Sequence, residues 1–259
     1  MDRGLCHGLG LFETILAVNG KPCQLRRHLA RLSIGLERFG TSCLDLDPSN
    51  LEKAVSTLLA GNGLIDGMAR VRLAVSLGEG PLDRLDSGQC RMWITAATVG
   101  ELKTELKAKF APWRKNKESG LRGMKTASYA EHLLALDWAR GEGVDEVIFF
   151  NTSDELCEAA MANVFLIKDG ILRTPGLDSG CLAGVTREFI LELAKENGIP
   201  CEVDRLMKKD LIGADGIFLS SSIRGPVFVN RLNEQEYEIH PLFHALRGLW
   251  MGEILKGRE

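Results

Sequence analysis

Lys125 and Glu158 are the two side chains of this sequence whose types could carry the most chemistry. Lys125 opens the run Lys-Thr-Ala-Ser-Tyr ahead of a predicted helix, and Glu158 stands just before a predicted β-hairpin. A lysine amine becomes a nucleophile and a proton carrier when its neighbours lower its pKa. A carboxylate accepts hydrogen bonds from a helix end or from a ligand. Because most lysines and glutamates are solvated, the residue types alone leave both roles open.

Residues 175–184 form a predicted loop leading into a helix that begins at Val185 and Thr186, where an anion could bind. Apolar side chains at Phe189, Ile190 and Leu193 fit a helical period. Small residues before a helix N-terminus leave backbone N–H groups and the positive end of the helix dipole available, and both suit a phosphate. An ordinary strand-to-helix loop capped by Thr186 is the simpler interpretation of this stretch alone.

Two arginines are further candidates for binding anions. Arg31 lies off the apolar stripe of a predicted helix, so it is either a solvated surface residue or a bidentate ligand for a phosphate. Residues 220–222 are three serines at the end of a predicted strand, which supply hydrogen-bond donors but are also common in plain loops. Arg224, two residues later, could bind a carboxylate.

The elements that must position these side chains follow from hydrophobic periodicity and turn residues. Asn19-Gly20 and Asp169-Gly170 predict two hairpin turns. Predicted strands cover residues 9–18, 68–77, 91–98, 144–149, 162–168 and 171–174, and predicted helices cover residues 25–39, 48–59 and 128–140. We expect 68–77 and 91–98 to be central strands of one sheet.

Two further segments, one helix face and one pair of histidines carry specific expectations. Residues 78–88 predict a loop, which could border a substrate pocket, and the polar, basic residues 113–123 predict a solvated linker between two domains. In the helix 128–140 we expect a buried stripe of Tyr129, Leu133, Leu136 and Ala139. His240 and His244 have metal-ligand spacing, but they lack an acidic companion and are interpreted as helix residues without a metal.

The composition is that of a soluble globular protein. The 259 residues are 45% hydrophobic and 26% charged, with a net charge of −3, so nothing indicates nucleic-acid binding. No apolar stretch approaches membrane-spanning length, and the N-terminus lacks the apolar core of a signal peptide. The seven scattered cysteines predict reduced thiols in a cytoplasmic protein, with neither a disulfide framework nor a zinc site.

Several motifs in a fixed order together resemble one family. They are Asp2-Arg-Gly4, Gly8-Leu-Gly10-Leu-Phe-Glu13-Thr, His28-Leu-Ala-Arg31-Leu, Lys125-Thr-Ala-Ser-Tyr129, Glu158-x-Ala-x-x-Asn163-Val-Phe, Leu172-x-Thr174 and Leu182-x-Gly184-Val-x-Arg187. This set covers nearly the whole chain and resembles the class IV, or fold-type IV, pyridoxal-phosphate enzymes. That family includes branched-chain aminotransferases, D-amino-acid aminotransferases and aminodeoxychorismate lyases.

The resemblance implies pyridoxal 5'-phosphate as cofactor and gives each candidate a role. Lys125 would be the Schiff-base lysine, and Glu158 would face the pyridine nitrogen. The residues implied to bind the cofactor phosphate are Arg31, Val185, Thr186 and Ser222. Tyr129 would contact the phenolic oxygen, although a plain core tyrosine is a close alternative, and Arg224 would bind a substrate carboxylate. Asn163 is expected to be structural and to tie a backbone turn in place.

The resemblance also implies an α+β fold of two domains, like that of D-amino-acid aminotransferase. A smaller N-terminal α/β domain would cover residues 1–113, a linker 114–123, and a larger β-barrel-like domain with helices 124–259. The active site would lie at the domain interface of a homodimer that takes a small amino substrate and binds no nucleic acid or membrane. Family members usually carry a further strand ahead of the segment that begins here at Asp2, so the true start is upstream or the sheet lacks an edge strand.

The expected reaction is that of a 4-amino-4-deoxychorismate lyase, which gives 4-aminobenzoate and pyruvate. The segment 220–225 resembles the Asn-Ser/Ala-Leu-Arg-Gly segment of many such lyases, with serine in place of the usual asparagine. An aminotransferase acting on branched-chain or D-amino acids is the alternative. However, residues 78–88 lack the Arg-x-His pair of the D-amino-acid enzymes, and residues 69–73 lack the Tyr-Ile-Arg-Pro-like strand of the branched-chain enzymes. A third hypothesis is a non-catalytic protein on this fold.

Overall fold

The described residues form two β-sheets, each with its own helices. The structure, a computed structural model, describes residues 1–41, 44–86 and 88–259, so Cys43 lies outside the described residues. Unit 1 consists of Met1–Glu101, Met124–Tyr129 and Ile254–Glu259, and unit 2 of Leu102–Gly123 and Ala130–Glu253. None of the helices in these described ranges has the length and apolar content needed to cross a bilayer.

Unit 1 is built on a four-stranded antiparallel sheet with the strand order β2-β1-β3-β4. Its strands are β1 (Gly10–Val18), β2 (Lys21–Pro22), β3 (Met68–Ser76) and β4 (Arg91–Thr98). The predicted Asn19-Gly20 turn joins β1 to β2, and both residues have the positive φ that this turn requires. Strands 68–77 and 91–98 were both expected to be central. The expectation is confirmed for β3 and was wrong for β4, which lies at the edge of the sheet.

The helices of unit 1 are α1 (Arg3–His7), α2 (Leu25–Arg38) and α3 (Pro48–Gly61). Leu25, Leu29, Leu32 and Leu36 share one buried face of α2 because they recur at a helical period. Helix α3 begins where expected, since Pro48 occupies its first turn and Asp47 accepts a hydrogen bond from Asn50 N at 2.8 Å.

Arg3 is buried and organises the segment that follows β3. Its guanidinium donates to the carbonyls of Leu77, Gly78, Pro81 and Arg84 at 2.8–3.2 Å. A buried guanidinium requires acceptors for its five N–H groups. Residues 78–86 and 88 form a loop as predicted, and one arginine from the N-terminus fixes its path.

Unit 2 is built on a longer, mixed sheet with the strand order β10-β9-β8-β11-β12-β5-β6-β7, to which β13 adds beside β12. The strands are β5 (Glu105–Phe110), β6 (Glu146–Phe150), β7 (Leu156–Ala159), β8 (Asn163–Lys168), β9 (Ile171–Pro175), β10 (Cys201–Asp204), β11 (Gly216–Ser221), β12 (Gly225–Leu232) and β13 (Gln235–Glu236). The predicted hairpin of β8 and β9 is confirmed, with Asp169 and Gly170 at positive φ in its turn.

The helices of unit 2 are α4 (Ala130–Gly141), α5 (Val185–Glu196), α6 (Lys208–Ile212) and α7 (Pro241–Leu255), and a short 3₁₀ helix covers Leu177–Ser179. Phe165 and Phe218 stack at 4.9 Å between ring centroids in the core between β8 and β11. At the start of α7, His240 Nδ1 accepts a hydrogen bond from Leu242 N at 3.1 Å.

The buried face of helix α4 differs from the face that its leucines predict. Its buried residues are Ala135 and Ala139, whereas Leu133 is 55% exposed. The two alanines pack against Val147 and Phe149 of β6, and their small size allows this close approach. The predicted stripe was therefore wrong at Leu133 and confirmed at Ala139.

Two other expectations need correction. The charges of residues 113–123 are not merely solvated, because Lys115 and Lys117 pair with the buried carboxylates of Glu158 and Glu155. Cys90 is disulfide-bonded, so the expectation of uniformly reduced thiols was wrong there. The described cysteines that are free thiols are Cys6, Cys23, Cys157, Cys181 and Cys201.

Candidate active site

In unit 1, the backbone holds the predicted lysine segment against the start of β1. Phe12 N donates to Lys125 O at 3.0 Å, and Ala127 N donates to Gly10 O at 2.8 Å. Leu11 and Thr126 form an antiparallel bridge between these two hydrogen bonds. The position of Lys125 is therefore set by a strand of the sheet rather than by a free loop.

The glycines of the Gly8-Leu-Gly10 motif make this approach possible. A Cβ at Gly10 would lie 2.5 Å from Val75 O and 3.3 Å from Ala127 Cβ. Gly8 has a φ of +68°, and a Cβ there would lie 2.4 Å from Ser128 Oγ. The motif near the N-terminus and the motif around Lys125 thus form one packed structure, although more than 110 residues separate them.

The Lys125 side chain lies among aromatic rings. Its Nζ is 4.6 Å from the ring centroid of Phe12 and 5.7 Å from that of Tyr129. The two rings meet edge to face at 5.2 Å, and the Arg72 guanidinium lies 3.9 Å from the Phe12 centroid. Unit 1 therefore brings Lys125 and Tyr129 together, as cofactor binding by both residues would require.

Arg31 belongs to a buried cluster that we name the Glu13 cluster: Glu13, His28 and Arg31. Arg31 Nε donates to Glu13 Oε1 at 2.9 Å, and a second guanidinium nitrogen bonds the other carboxylate oxygen. His28 Nδ1 lies 2.7 Å from Glu13 Oε2. Burial alone would raise the pKa of Glu13, but the charge and hydrogen bonds of Arg31, with His28, lower it to about 2. Burial in turn lowers the pKa of His28.

In unit 2, Glu158 forms a second buried group that we name the Glu158 cluster: Lys115, His132 and Glu158. Lys115 Nζ contacts Glu158 Oε1, and His132 Nε2 lies 3.9 Å from the same oxygen. Oε2 accepts a hydrogen bond from Leu182 N at 2.9 Å. Burial would raise the pKa of Glu158, but the neighbouring charge of Lys115 is the main cause that lowers it to about 2. Glu158 is therefore a carboxylate at neutral pH.

The loop before α5 is fixed by Asn163 as well as by Glu158. Asn163 Nδ2 donates to Leu182 O at 2.8 Å, which confirms the expected structural role. A Cβ at Gly184 would lie 1.9 Å from Asn163 Oδ1, so only glycine fits beside this amide without a shift. The loop thus enters α5 in one defined path.

The N-terminus of α5 carries a buried donor. Gly184 is the N-cap residue, and no side-chain hydrogen bond caps the helix there. The simpler interpretation, in which Thr186 caps the helix, was therefore wrong. Thr186 is buried, and its Oγ1 has no hydrogen-bond partner within the described ranges. A buried hydroxyl without a partner at the positive end of a 12-residue helix is the chemistry expected of an anion site.

The serine-rich segment forms a tight hairpin between β11 and β12. Ser221 pairs with Gly225, so Ser222 and Arg224 lie in the three-residue connection, and both are partly exposed. Gly225 has a φ of +63° and packs on Trp250. Ser220, which pairs with Asn163 across the sheet, is buried, and its Oγ has no partner among the described residues.

Arg224 lies close enough to two acidic residues to influence their charge. Burial would raise the pKa of Asp145, but the hydrogen bonds of Lys103 and of the Lys107 backbone lower it, and the charge of Arg224 adds a smaller contribution in the same direction. Glu146 is fully buried and accepts hydrogen bonds from Val147 N, Ala160 N and Met161 N at 3.0–3.3 Å. Burial raises the pKa of Glu146 to about 7, although these N–H groups and Arg224 oppose the shift.

Comparison with known proteins decides the family. The sequence model described as Amino-transferase class IV matches residues 10–232, which is most of the chain. This chain is a class IV aminotransferase family member. The family is pyridoxal-phosphate-dependent, and its members are enzymes.

Individual class IV relatives carry two kinds of activity in their names. Aminodeoxychorismate lyase of Bacillus subtilis (strain 168) is 28% identical over 240 residues, 91% of this chain and 82% of that protein. A Legionella pneumophila structure described as "Putative 4-amino-4-deoxychorismate lyase" has a TM-score of 0.91 at 25% identity, over 97% of this chain and 93% of that one. The branched-chain aminotransferase of Thermoproteus uzoniensis has a TM-score of 0.90 at 25% identity, over 100% and 89% of the two chains.

The residues of this class IV chain fit the cofactor of the family. Thr186 offers a buried hydroxyl for a phosphate, and Glu158 is ionised and so suits a protonated pyridine nitrogen. Lys125 lies beside an aromatic pair, where a planar ring could pack. The predicted two-domain α+β fold of fold type IV is confirmed by the high structural similarity to fold-type IV enzymes.

Sequence reasoning missed Lys115 and His132. Lys115 lies in an irregular, basic stretch with several other cations, so nothing local distinguishes it. Its partner Glu158 is 43 residues away. Only the fold reveals its position, because Lys115 forms a parallel bridge with Asn151, the residue that follows β6.

Proposed function

We propose that this class IV enzyme is a 4-amino-4-deoxychorismate lyase. The reaction is an elimination: a proton leaves the ring carbon that bears the amine, the enolpyruvyl oxygen departs from the neighbouring carbon, and the ring becomes aromatic. The products, 4-aminobenzoate and pyruvate, contain all the atoms of the substrate, so no oxidant or water is consumed. The single observation that carries the proposal is the hairpin connection that presents Ser222 and Arg224 ahead of Gly225.

Six residues are proposed to hold the cofactor, besides Lys125 itself. Thr186 would donate its hydroxyl to the phosphate, and the backbone N–H of Val185 would donate beside it at the positive end of α5. Arg31 and Ser222 would supply further phosphate contacts, Tyr129 a hydrogen bond to the phenolic oxygen, and Glu158 the acceptor for the pyridine N–H. The buried Thr186 hydroxyl and the ionised Glu158 support this assignment.

Lys125 is the proposed catalytic residue. When bound, pyridoxal phosphate supplies a carbonyl that an amine can join and a ring that withdraws electrons from the bond next to that amine. The Lys125 amine holds the cofactor until substrate displaces it, and then takes the proton from the substrate carbon. Its backbone anchorage to β1 fixes the point of the main chain from which the side chain acts in both steps.

Arg224 is the proposed ligand for the substrate carboxylate. It lies in the three-residue connection between β11 and β12 and is partly exposed, so its guanidinium is accessible to a small anion. Replacing Arg224 with alanine is expected to weaken substrate binding more than cofactor binding, and equal losses of both would argue against a substrate role.

An aminotransferase acting on branched-chain or D-amino acids is the second candidate function. It is supported by the branched-chain aminotransferase of Thermoproteus uzoniensis, whose similarity nearly equals that of the lyase structure. In that reaction Lys125 would return the proton to the cofactor rather than drive an elimination. A non-catalytic role is disfavoured because Lys125, Glu158, Arg31 and Thr186 all match the family pattern.

We further propose a cytoplasmic homodimer, in line with the organisation that the resemblance to the family implies. Sedimentation of the cofactor-loaded protein tests the dimer. A monomer at micromolar concentration would contradict it.

The deciding experiment measures 4-aminobenzoate release from aminodeoxychorismate by the cofactor-loaded protein, with Lys125→Ala as the blank. Lysine-dependent product is the expected result. If the wild-type protein shows a Lys125-dependent visible band but releases no product, the lyase is excluded. Loss of that band on addition of amino acids would then identify the donor of an aminotransferase. A cofactor spectrum unchanged by Lys125→Ala would overturn the role of the lysine.

A further inference from the structure

We infer that Lys115 is a positioning residue, which keeps Glu158 an oriented carboxylate able to accept the hydrogen bond of the cofactor pyridine nitrogen. This inference rests on the proposed role of Glu158. It concerns a residue that no motif in the sequence identifies and a contact that lies wholly within unit 2.

The contacts of the carboxylate leave it with a defined orientation. Oε1 is held by the Lys115 ammonium, and Oε2 accepts from Leu182 N at 2.9 Å. A carboxylate has about four lone-pair directions, so these two bonds fix its plane and still leave capacity for a further donor. Leu182 is itself tied to Asn163, so the orientation is linked to the loop that leads into α5.

Lys115 is itself held on both its backbone and its side chain. Lys115 N donates to Phe150 O, and Thr152 N donates to Lys115 O, each at 2.9 Å. Its Nζ lies 3.2 Å from His132 Nε2 and 5.8 Å from the Phe149 ring centroid. Since an ammonium only donates, His132 Nε2 is the acceptor. These contacts reduce the freedom of a flexible side chain to a single region beside Glu158.

The surroundings of Glu158 make Lys115 the main source of positive charge. The titratable groups that face Glu158 or Lys115 are His132, Cys157, Cys181 and Glu131. Burial raises the pKa of both thiols, so they stay neutral, and Glu131 is acidic. Burial also disfavours charge on Lys115, but Glu158 more than compensates and the pKa of Lys115 is raised. The two charges therefore sustain each other.

Removing the ammonium leaves burial as the dominant influence on Glu158. Its pKa then rises above the ordinary carboxyl value, because an isolated charge is costly in this environment. A protonated Glu158 offers a weaker acceptor to the pyridine N–H, so cofactor affinity falls as the pH is lowered. In the wild-type protein, with a pKa of about 2, Glu158 stays ionised from pH 8 to pH 5.

The test measures the affinity for the cofactor between pH 8 and pH 5 in wild type, Lys115→Met and Lys115→Arg. The affinity is obtained by titrating each protein with the cofactor and following its visible absorbance. Relative to wild type, Lys115→Met is expected to lose up to about tenfold in affinity per pH unit below its new carboxyl pKa. Lys115→Arg restores a cation and is expected to recover most of the wild-type profile. Should Lys115→Met fail to fold, Lys115→Gln replaces it.

Lys117→Met is the matched control. Lys117 lies in the same stretch and also pairs with a buried carboxylate, Glu155, at 3.2 Å, but it does not contact Glu158. Its pH profile is expected to parallel that of wild type. Parallel profiles for Lys115→Met and Lys117→Met would overturn the inference, while a Lys125-dependent visible band would leave the proposed function intact. A wild-type protein without that band would overturn the proposed function and this inference together.

Discussion

The Glu13 cluster and the Glu158 cluster contain the same kinds of side chain, but a different member of each is proposed to bind the cofactor. Each contains a buried carboxylate, one cation and one histidine, and in each the pKa of the carboxyl is lowered to about 2. In the Glu13 cluster the cation, Arg31, is the proposed ligand of the cofactor and the carboxylate supports it. In the Glu158 cluster the carboxylate is the proposed ligand and the cation, Lys115, supports it.

The difference lies in how the partner is held. Arg31 gives Glu13 two hydrogen bonds from a planar guanidinium, which fixes the orientation of both groups. Lys115 gives Glu158 one contact from a point charge, and the backbone of Leu182 supplies the second. The bidentate guanidinium thus fixes the orientation of the Glu13 carboxylate without help. The Glu158 carboxylate is oriented by the lysine together with the backbone of the loop before α5.

The largest expected effect comes from neutralising the two carboxylates in turn. Glu13→Gln leaves the half-buried Arg31 guanidinium without its buried carboxylate partner and is expected to cost about 3–5 kcal/mol of unfolding free energy. Glu158→Gln is expected to cost less, because Lys115 keeps His132 as an acceptor. Urea unfolding of the cofactor-free proteins at pH 7 measures both. Glu202→Gln, in a half-exposed pair with Arg173, is the control and is expected to change stability by less than about 1 kcal/mol. A larger loss for Glu158→Gln would contradict the comparison.

Glu146 shows what burial does to a carboxyl group without a neighbouring cation. Like Glu13 and Glu158 it is buried, but it forms no ion pair with the described residues. Burial raises its pKa to about 7, from the ordinary glutamate pKa near 4.5. Protonation of Glu146 therefore stabilises the folded state. This contribution is complete below pH 4.5 and is lost as the pH rises through 7. Glu146→Gln mimics the protonated acid. Relative to wild type it is expected to gain stability between pH 5 and pH 8, by up to about 3 kcal/mol. Urea unfolding at several pH values tests the sign, and a difference independent of pH would refute it.

A smaller effect is expected from the glycines that allow the close approaches in the two units. Gly10→Ala drives a Cβ toward the backbone oxygen Val75 O and is expected to cost about 1–3 kcal/mol. Gly184→Ala meets the side chain of Asn163 instead, so Asn163→Ala should relieve part of its cost in the double variant. Thermal unfolding measures the double-mutant cycle. Gly252→Ala, which has open space, serves as control, and strict additivity at Gly184 and Asn163 would exclude the contact as the cause.

The smallest expected effect is that of His132→Leu. Its Nε2 lies 3.9 Å from Glu158 Oε1, and Lys115 remains in place, so the loss is expected to be below about 1 kcal/mol. Urea unfolding at pH 7 checks this value. A loss as large as that of Glu158→Gln would mean that the histidine, and not the lysine, supports the carboxylate.

Much of the fold could be predicted from local patterns. The turns Asn19-Gly20 and Asp169-Gly170, the strands they join and the buried face of α2 all follow from two to fifteen consecutive residues. The start of α5 at Val185 was predicted in the same way. The buried face of α4 could not be, because leucines on both sides of the helix gave no unique stripe and the core accepted two alanines.

The sequence by itself determined many of the elements, the family and the candidate residues, since periodicity, turn chemistry and ordered motifs are local properties of the chain. It did not reveal the strands β5 and β12. Only the tertiary structure decided that Lys115 supports Glu158, that Glu13 holds Arg31 and that Gly10 accommodates Ala127. These pairs are between 18 and 117 residues apart. Burial sets their charge states, and burial depends on how the strands assemble. A carboxylate and a cation far apart in sequence become partners only when the fold removes both from water.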